Sequence, residues 1–159
     1  MRTQAISTGL NFGLTSGVIT TLGLIVGLHS GTNSMLAIIG GIITIAIADS
    51  MSDALGIHIS KESDPNAKKA DIWIATITTL VAKMLMALSF VLPMLLLDLT
   101  QAIIASVIWG MTVIALLSYW LAKKAGENPI FVLAEHLGIT IIVILTTHSV
   151  GDWIAVKFA

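Results

Sequence analysis

Two aspartates lie inside an apolar stretch of this chain, where a charged side chain is costly unless a partner or water accompanies it. Asp49 and Asp53 stand four residues apart, so both carboxylates lie on one face if the stretch is helical. Carboxylate oxygens bind hard divalent cations and also relay protons. The spacing therefore predicts a site for a cation or a proton, and Asp53 is its strongest candidate residue.

Lys83 is a basic residue in the middle of another apolar stretch. At about 1.5 Å of helix rise per residue, Lys83 falls at roughly the depth of Asp49, so we expect the two side chains to pair. An unpaired lysine at that depth would lose its proton or draw in water. Such a pair either fixes the register of two helices or provides an internal counter-charge that an entering cation displaces. Asp53 has no evident partner in the sequence.

Further polar residues could extend this site. Ser16 and Asn11 can add oxygen ligands for a metal, and Glu135 can attract cations at the cytoplasmic entrance of the proposed path. His148 and Asp152 also stand four residues apart and could relay protons near the outer surface. Glu135, His148 and Asp152 also have structural interpretations. His148 and Asp152 can form an interfacial pair, and the helix dipole can favour Glu135 near a helix N-terminus.

Five apolar stretches carry these residues, and each is long enough to cross a hydrocarbon core of roughly 30 Å as a helix. The chain is 56% hydrophobic and only 11% charged, whereas soluble domains usually carry about 25% charged residues. This composition excludes a water-soluble globule and a disordered chain. The sequence predicts one all-α membrane domain over residues 1–159. Its predicted spans are 9–28, 35–57, 72–97, 102–122 and 130–155.

Other classes of function are excluded by composition and residue placement. A net charge of −1 leaves no cationic surface for nucleic acid, and the absence of cysteine excludes disulfides, thiolate metal sites and cysteine nucleophiles. A membrane hydrolase would need a nucleophile with its base, or a metal triad, at one depth. The histidines are instead scattered over both sides, so we expect no enzyme and no cofactor. They are His29, His58, His136 and His148.

The basic residues predict the orientation. With five spans, six of them fall on one side and a single lysine, Lys157, on the other. Lysine and arginine concentrate in cytoplasmic loops, so we expect a cytoplasmic N-terminus. The compact chain fits a multi-pass protein of a prokaryotic cell membrane. The six residues are Arg2, Lys61, Lys68, Lys69, Lys123 and Lys124.

Small residues recur four apart and predict close contacts between helices, within one subunit or across a dimer axis. We expect the first and second spans to pack tightly through them, and Pro93 to kink the third. The small residues are Gly13, Gly17, Gly23 and Gly27 in the first span, and Ala46, Ser50 and Ala54 in the second.

Two stretches resemble helix signatures of the vacuolar iron transporter family. Residues 13–27, GLTSGVITTLGLIVG, resemble its first-helix signature, and residues 48–60, ADSMSDALGIHIS, resemble its second. The resemblance implies a homodimer with a cation path near the subunit interface, exporting Fe²⁺ or Mn²⁺ from the cytosol against protons. Some positions differ from the family. Ser16 stands where the family has aspartate, Asp53 where it has methionine, and Ile57 where it has an acidic residue. A short loop, 61–70, replaces the metal-binding insert that plant and fungal members carry.

The sequence thus predicts a homodimeric, proton-coupled antiporter of a divalent metal cation in a lipid bilayer. Asp49 and Asp53 would bind the cation, and Lys83 would be the counter-charge. Two alternatives stay open. The chain could carry a non-metal substrate, with Lys83 holding an organic anion. It could also be a scaffold or accessory subunit without transport, in which the charges are wholly structural.

Overall fold

The computed structural model describes residues 2–158, and that part of the chain is helical and has no β-strand. Each helix is connected to the next by a short turn or break, so consecutive long helices run in opposite directions. The helices are α1 (Arg2–Thr32), α2 (Met35–Glu62), α3 (Lys69–Ser89), α4 (Val91–Leu96), α5 (Leu99–Ala125) and α6 (Pro129–Phe158).

Five helical segments are long and apolar enough to cross a membrane, since α3 and α4 together form one segment, Lys69–Leu96. This confirms the five predicted spans, although the helices extend beyond the apolar stretches at most ends. The break between α3 and α4 falls at Phe90 and has a local cause. Pro93 has no N–H to bond the carbonyl of Ser89, and its ring crowds that carbonyl. The predicted disturbance at Pro93 is therefore confirmed as a helix break.

Helix α1 is the central element and packs against all four of the other long segments. Its first half lies against α3, where a Cβ at Gly13 would come 2.7 Å from the carbonyl oxygen of Thr79. Its second half lies against α6, where a Cβ at Gly27 would come 3.3 Å from the carbonyl oxygen of Thr147. The glycines thus let the α1 backbone approach two neighbours closely.

These contacts correct the prediction for the small residues. Gly13 and Gly17 face α3, and Gly23 and Gly27 face α6, so the stripes of α1 do not serve the contact with α2. The stripe of α2, which contains Ser50, is buried within this one chain and therefore does not lie on a dimer axis. Small residues recur every four positions on both helices, but this spacing does not identify which neighbouring helix packs against them.

Most of the basic residues lie at one end of the bundle, which contains Lys61, Lys68 and Lys124 and which we call the basic end. There Lys124 at the end of α5 lies beside Ser7 in α1, and Gln4 lines a small polar cavity with Lys61 and Lys68. The opposite end carries His148 and Asp152. The bundle therefore has the charge asymmetry on which the predicted orientation rests.

Candidate functional site

Three helices contribute one ionic cluster, and each contributes it from near the middle of its length. Ser16 lies on α1, Asp49 and Asp53 on α2, and Lys83 on α3. The close approach of α3 to α1 at Gly17 allows the contact, because a Cβ there would come 3.1 Å from the backbone oxygen of Lys83. The cluster therefore lies at the central depth of the helices, far from both ends.

Lys83 is sealed within the bundle, with 1% of its side chain exposed. Its Nζ lies 2.6 Å from Oδ2 of Asp49 and 2.5 Å from Oδ2 of Asp53, and it donates to Oγ of Ser16 at 2.9 Å. The ammonium thus makes two hydrogen bonds, to Ser16 and Asp53, and a second close ion pair with Asp49. The predicted Asp49–Lys83 pair is confirmed.

Asp53 has two partners, which corrects the interpretation that it has none. Its Oδ2 accepts from Ser16 Oγ at 2.6 Å and also receives the ammonium of Lys83. Ser16, Asp53 and Lys83 thus form a closed triangle in which each side chain contacts the other two. The serine links the ion pair of α2 and α3 to α1, so one cluster fastens three helices together.

The carboxylates are open on the side away from Lys83. Asp49 is 32% exposed and Asp53 is 21% exposed. Each uses Oδ2 toward the lysine, and within residues 2–158 neither Oδ1 has a hydrogen-bond partner. Two carboxylates and one ammonium leave a formal charge of −1. The cluster is therefore sealed at its cationic side and accessible at its anionic side.

Two predicted ligands lie elsewhere. Asn11 donates to Ser7 at 3.3 Å near the basic end, and Glu135 is exposed on α6. In the part of the chain that the structure describes, no three histidine, aspartate or glutamate side chains converge as a metal site. A single chain thus offers two carboxylates and one hydroxyl rather than a complete set of oxygen ligands.

The predicted His148–Asp152 pair is present at the opposite end of the bundle, with 3.6 Å between Nε2 and Oδ2. Both side chains are exposed, as an interfacial pair would be. Ser30, which sequence reasoning did not single out, donates to Oδ1 of Asp152 and so links α1 to α6. No sequence spacing could have indicated this serine, because 122 residues separate it from its partner.

Two further histidines are fixed by hydroxyl groups. The hydroxyl of Thr76 donates to its own helix at Ile72, so Nδ1 of His58, 3.0 Å away, must donate to Thr76. In the same way the hydroxyl of Ser118 donates to the carbonyl of Ile114, and Nδ1 of His136 lies 2.8 Å from the oxygen of that hydroxyl. These contacts join α2 to α3 and α5 to α6. The structure therefore gives these histidines a structural role.

Comparisons with models of known protein families, with curated proteins and with solved structures find no match to this chain. The resemblance to the vacuolar iron transporter signatures therefore rests on the residues quoted for it alone.

Proposed function

We propose that this protein is a membrane carrier for a divalent cation such as Fe²⁺ or Mn²⁺, and that Asp49 and Asp53 form its binding site. The observation that carries the proposal is that one buried ammonium holds two half-open carboxylates at the middle of the bundle. An ionisable cluster at that depth is costly in a membrane and usually marks an ion or proton pathway.

Lys83 acts as a tethered cation that occupies the site between transport events. Two carboxylates match the charge of a divalent ion, and Ser16 offers a third oxygen of the kind that hard ions prefer. An entering cation repels the ammonium, which has no other carboxylate within ion-pair distance among residues 2–158. The cation and the ammonium thus compete for the same two carboxylates, and intramembrane acids of this kind are the usual route of proton coupling.

The functional unit we propose is a homodimer with its two α2 helices in contact. Carboxylates that are half exposed at mid-depth would otherwise face acyl chains, which is unfavourable. Beside them α2 exposes a continuous row of small residues, and a Cβ at Gly40 or Gly56 would meet nothing within 4 Å. A second copy can approach this row closely and cover the acids. The row is Gly40, Thr44, Ala48, Ser52, Gly56 and Ser60.

Transport in proteoliposomes tests the cation site. We expect wild-type protein to take up Mn²⁺ with a counter-movement of protons, and Asp53→Asn to abolish uptake while the protein stays folded. Asp152→Asn is the matched control, because that carboxylate lies in the exposed pair at the far end. Undiminished uptake by Asp53→Asn would contradict the proposal. A scan of thermal stability with Fe²⁺, Mn²⁺, Co²⁺, Zn²⁺ and Mg²⁺ identifies the preferred ion.

The dimer has its own test. Ala48→Leu places a larger side chain in the exposed row of α2, so we expect it to convert dimers to monomers in mild detergent. Ala134→Leu is the control, because Ala134 is also exposed, on α6, and lies outside the row. A wild-type chain that is monomeric under these conditions, or equal loss of dimer in both variants, would contradict an interface through α2.

A scaffold without transport is the second candidate, and the close pairing of Lys83 favours it. Its ammonium pairs with two carboxylates and its side chain is sealed, as in a structural ion pair. A scaffold predicts no stabilisation by any cation in wild-type protein or in Lys83→Met. The same observation disfavours an organic-anion carrier, because the sealed side chain of Lys83 is not accessible to a substrate.

We propose the basic end as the cytoplasmic end. Tyr119 and Trp120 lie there beside Lys123 and Lys124, with each ammonium over an aromatic ring at 5.7 and 5.0 Å. Aromatic and basic side chains of this kind anchor helix ends at the membrane surface. Labelling of Lys123→Cys from one side of sealed vesicles tests the orientation without competing thiols, because the chain has no cysteine.

A further inference from the structure

A long apolar groove runs between α3 and α5, with α1 as its floor. Leu10 and Leu14 of α1 lie at the bottom, Val81 and Leu85 form one wall, and Trp109 closes the other side. Its volume is about 550 Å³, and it is open laterally toward the surroundings of the bundle. A second cavity of about 420 Å³ continues beyond Trp109 along α4. The groove is a separate feature from the ionic cluster.

Trp109 spans this groove near the middle of α5. Its Nε1 donates to Oγ of Ser89 at 3.1 Å, and Ser89 in turn donates to the carbonyl of Met86. Ser89 and Trp109 line both cavities, so this hydrogen-bonded pair lies at the point where the two meet. The groove therefore meets the second cavity at this pair, and its lining continues from there along α3 as far as Ile77.

A polar cavity of about 430 Å³ lies at the basic end of the same face of α1. It is lined by hydroxyl and amide side chains and by one cation, Lys124, and it contains no carboxylate. Ser7 accepts from Asn11 at 3.3 Å and from Lys124 at 3.4 Å, which leaves its own hydrogen free to be donated. Thr3 belongs to the first turn of α1, where the helix dipole also favours an anion. These groups together suit a phosphate.

The polar cavity and the apolar groove lie next to each other along α1, although they share no lining residue. Leu10 follows Ser7 by three residues and Leu14 follows Asn11 by three, so each pair shares one face one turn apart. A phospholipid has the same order of chemistry, an anionic phosphate joined through a glycerol ester to a hydrocarbon chain.

We propose that an anionic phospholipid binds here, with its phosphate at Ser7 and Lys124 and one acyl chain between α3 and α5. Lys124 makes this assignment specific. Within residues 2–158 it has no acidic partner, and its ammonium is directed at Ser7 over the ring of Trp120. Basic side chains at the cytoplasmic surface attract anionic lipids. The inference is independent of cation transport, since none of its residues belongs to the ionic cluster.

Lipid titration of the purified protein tests the headgroup site. We expect phosphatidylglycerol to raise the melting temperature and phosphatidylcholine to do so much less. Lys124→Gln should weaken the apparent affinity for phosphatidylglycerol about five-fold, the value of one lysine near an anionic surface. Lys123→Gln is the control, because Lys123 is next to Lys124 in the chain but its side chain does not line the cavity. Equal weakening by both variants would show only general attraction and would overturn the site.

A second pair of variants tests the acyl-chain groove. Val81→Trp fills the groove and should abolish the preference for phosphatidylglycerol, whereas Leu116→Trp on an exposed face of α5 should leave it intact. Inorganic phosphate alone should not stabilise the protein, and stabilisation equal to that by lipid would identify a free-anion site instead. Disulfide crosslinking between copies through Val81→Cys would assign the groove to a second copy and overturn the proposal.

Native mass spectrometry of the wild-type protein provides a readout that does not depend on any variant folding. After extraction from a mixture of phosphatidylglycerol and phosphatidylcholine, we expect one phosphatidylglycerol retained per chain at activation energies that remove the other lipids. Retention of the two lipids in proportion to the mixture would contradict the proposal.

Discussion

Lys83 and Asp49 form an ion pair whose two sides differ in accessibility: the lysine is 1% exposed and the aspartate 32%. The ammonium points into the bundle, where only its three acceptors surround it, whereas the carboxylate keeps one oxygen toward the outside. A charge left alone on the buried side has no other partner, whereas a carboxylate left on the open side faces the α2 surface that we propose for the cation site. The free energy of unfolding should therefore fall by different amounts when the lysine or the aspartates are neutralised.

The asymmetry predicts unequal costs of neutralisation. The double variant Asp49→Asn/Asp53→Asn leaves a buried ammonium uncompensated, and we expect a loss of about 3–5 kcal/mol in the free energy of unfolding. Lys83→Met leaves two carboxylates that are already half open, so its cost should be smaller. Unfolding in detergent, followed by circular dichroism, measures both. A greater loss for Lys83→Met would contradict the asymmetry.

The exposed His148–Asp152 pair provides the reference value for the cost of removing an ion pair at the surface. Asp152→Asn removes the contacts to His148 and Ser30, but the two members of the ion pair are exposed and Ser30 is half-buried. Surface ion pairs contribute about 0–1 kcal/mol, so we expect this variant to lie within that range. A cost equal to that of the buried double variant would show that depth in the bundle does not determine the effect.

Removing the tethered cation should strengthen metal binding if Asp49 and Asp53 are the cation site. In Lys83→Met the two carboxylates have no competing ammonium, so Mn²⁺ should raise the melting temperature more than it does in wild-type protein. The variant Lys83→Met/Asp53→Asn is the control and should lose the added stabilisation. No response to any cation in Lys83→Met would support the scaffold function.

The glycine contacts of α1 predict a sharp difference between two alanine substitutions. Gly13→Ala places a methyl group 2.7 Å from the carbonyl oxygen of Thr79, and overpacking of this kind costs about 1–3 kcal/mol. Gly138→Ala on α6 meets nothing within 4 Å and should stabilise its helix by about 0.5–1 kcal/mol. Thermal unfolding of the two variants measures the difference, and equal effects would contradict the close approach of α1 and α3.

The hydrogen bond from Trp109 to Ser89 should contribute little to stability. Hydrogen bonds between membrane helices average about 0.6 kcal/mol, so Ser89→Ala should lower the free energy of unfolding by roughly that amount. Ser149→Ala is a control, because this hydroxyl bonds only to its own helix at Leu145. A loss of several kcal/mol in Ser89→Ala would contradict a weak contribution of this hydrogen bond.

The sequence by itself determined the spans, the helix break at Pro93 and the pairing of Asp49 with Lys83. These features depend on local quantities. Apolar length decides whether a helix crosses the membrane, the missing N–H of proline interrupts the helix, and the rise per residue places two charges at one depth. The first two do not depend on which helices are neighbours, and the third also needs α2 and α3 to be adjacent, as helices joined by a short loop usually are.

The tertiary structure alone decided which side chains share the site. It brought Ser16 to Asp53, left Asn11 and Glu135 elsewhere, and turned the glycines of α1 toward α3 and α6. The physical reason is that these helices are apolar on nearly every face, so the hydrophobic pattern does not set how each helix is rotated. That rotation follows from close packing between small residues, and packing depends on residues far apart in the chain.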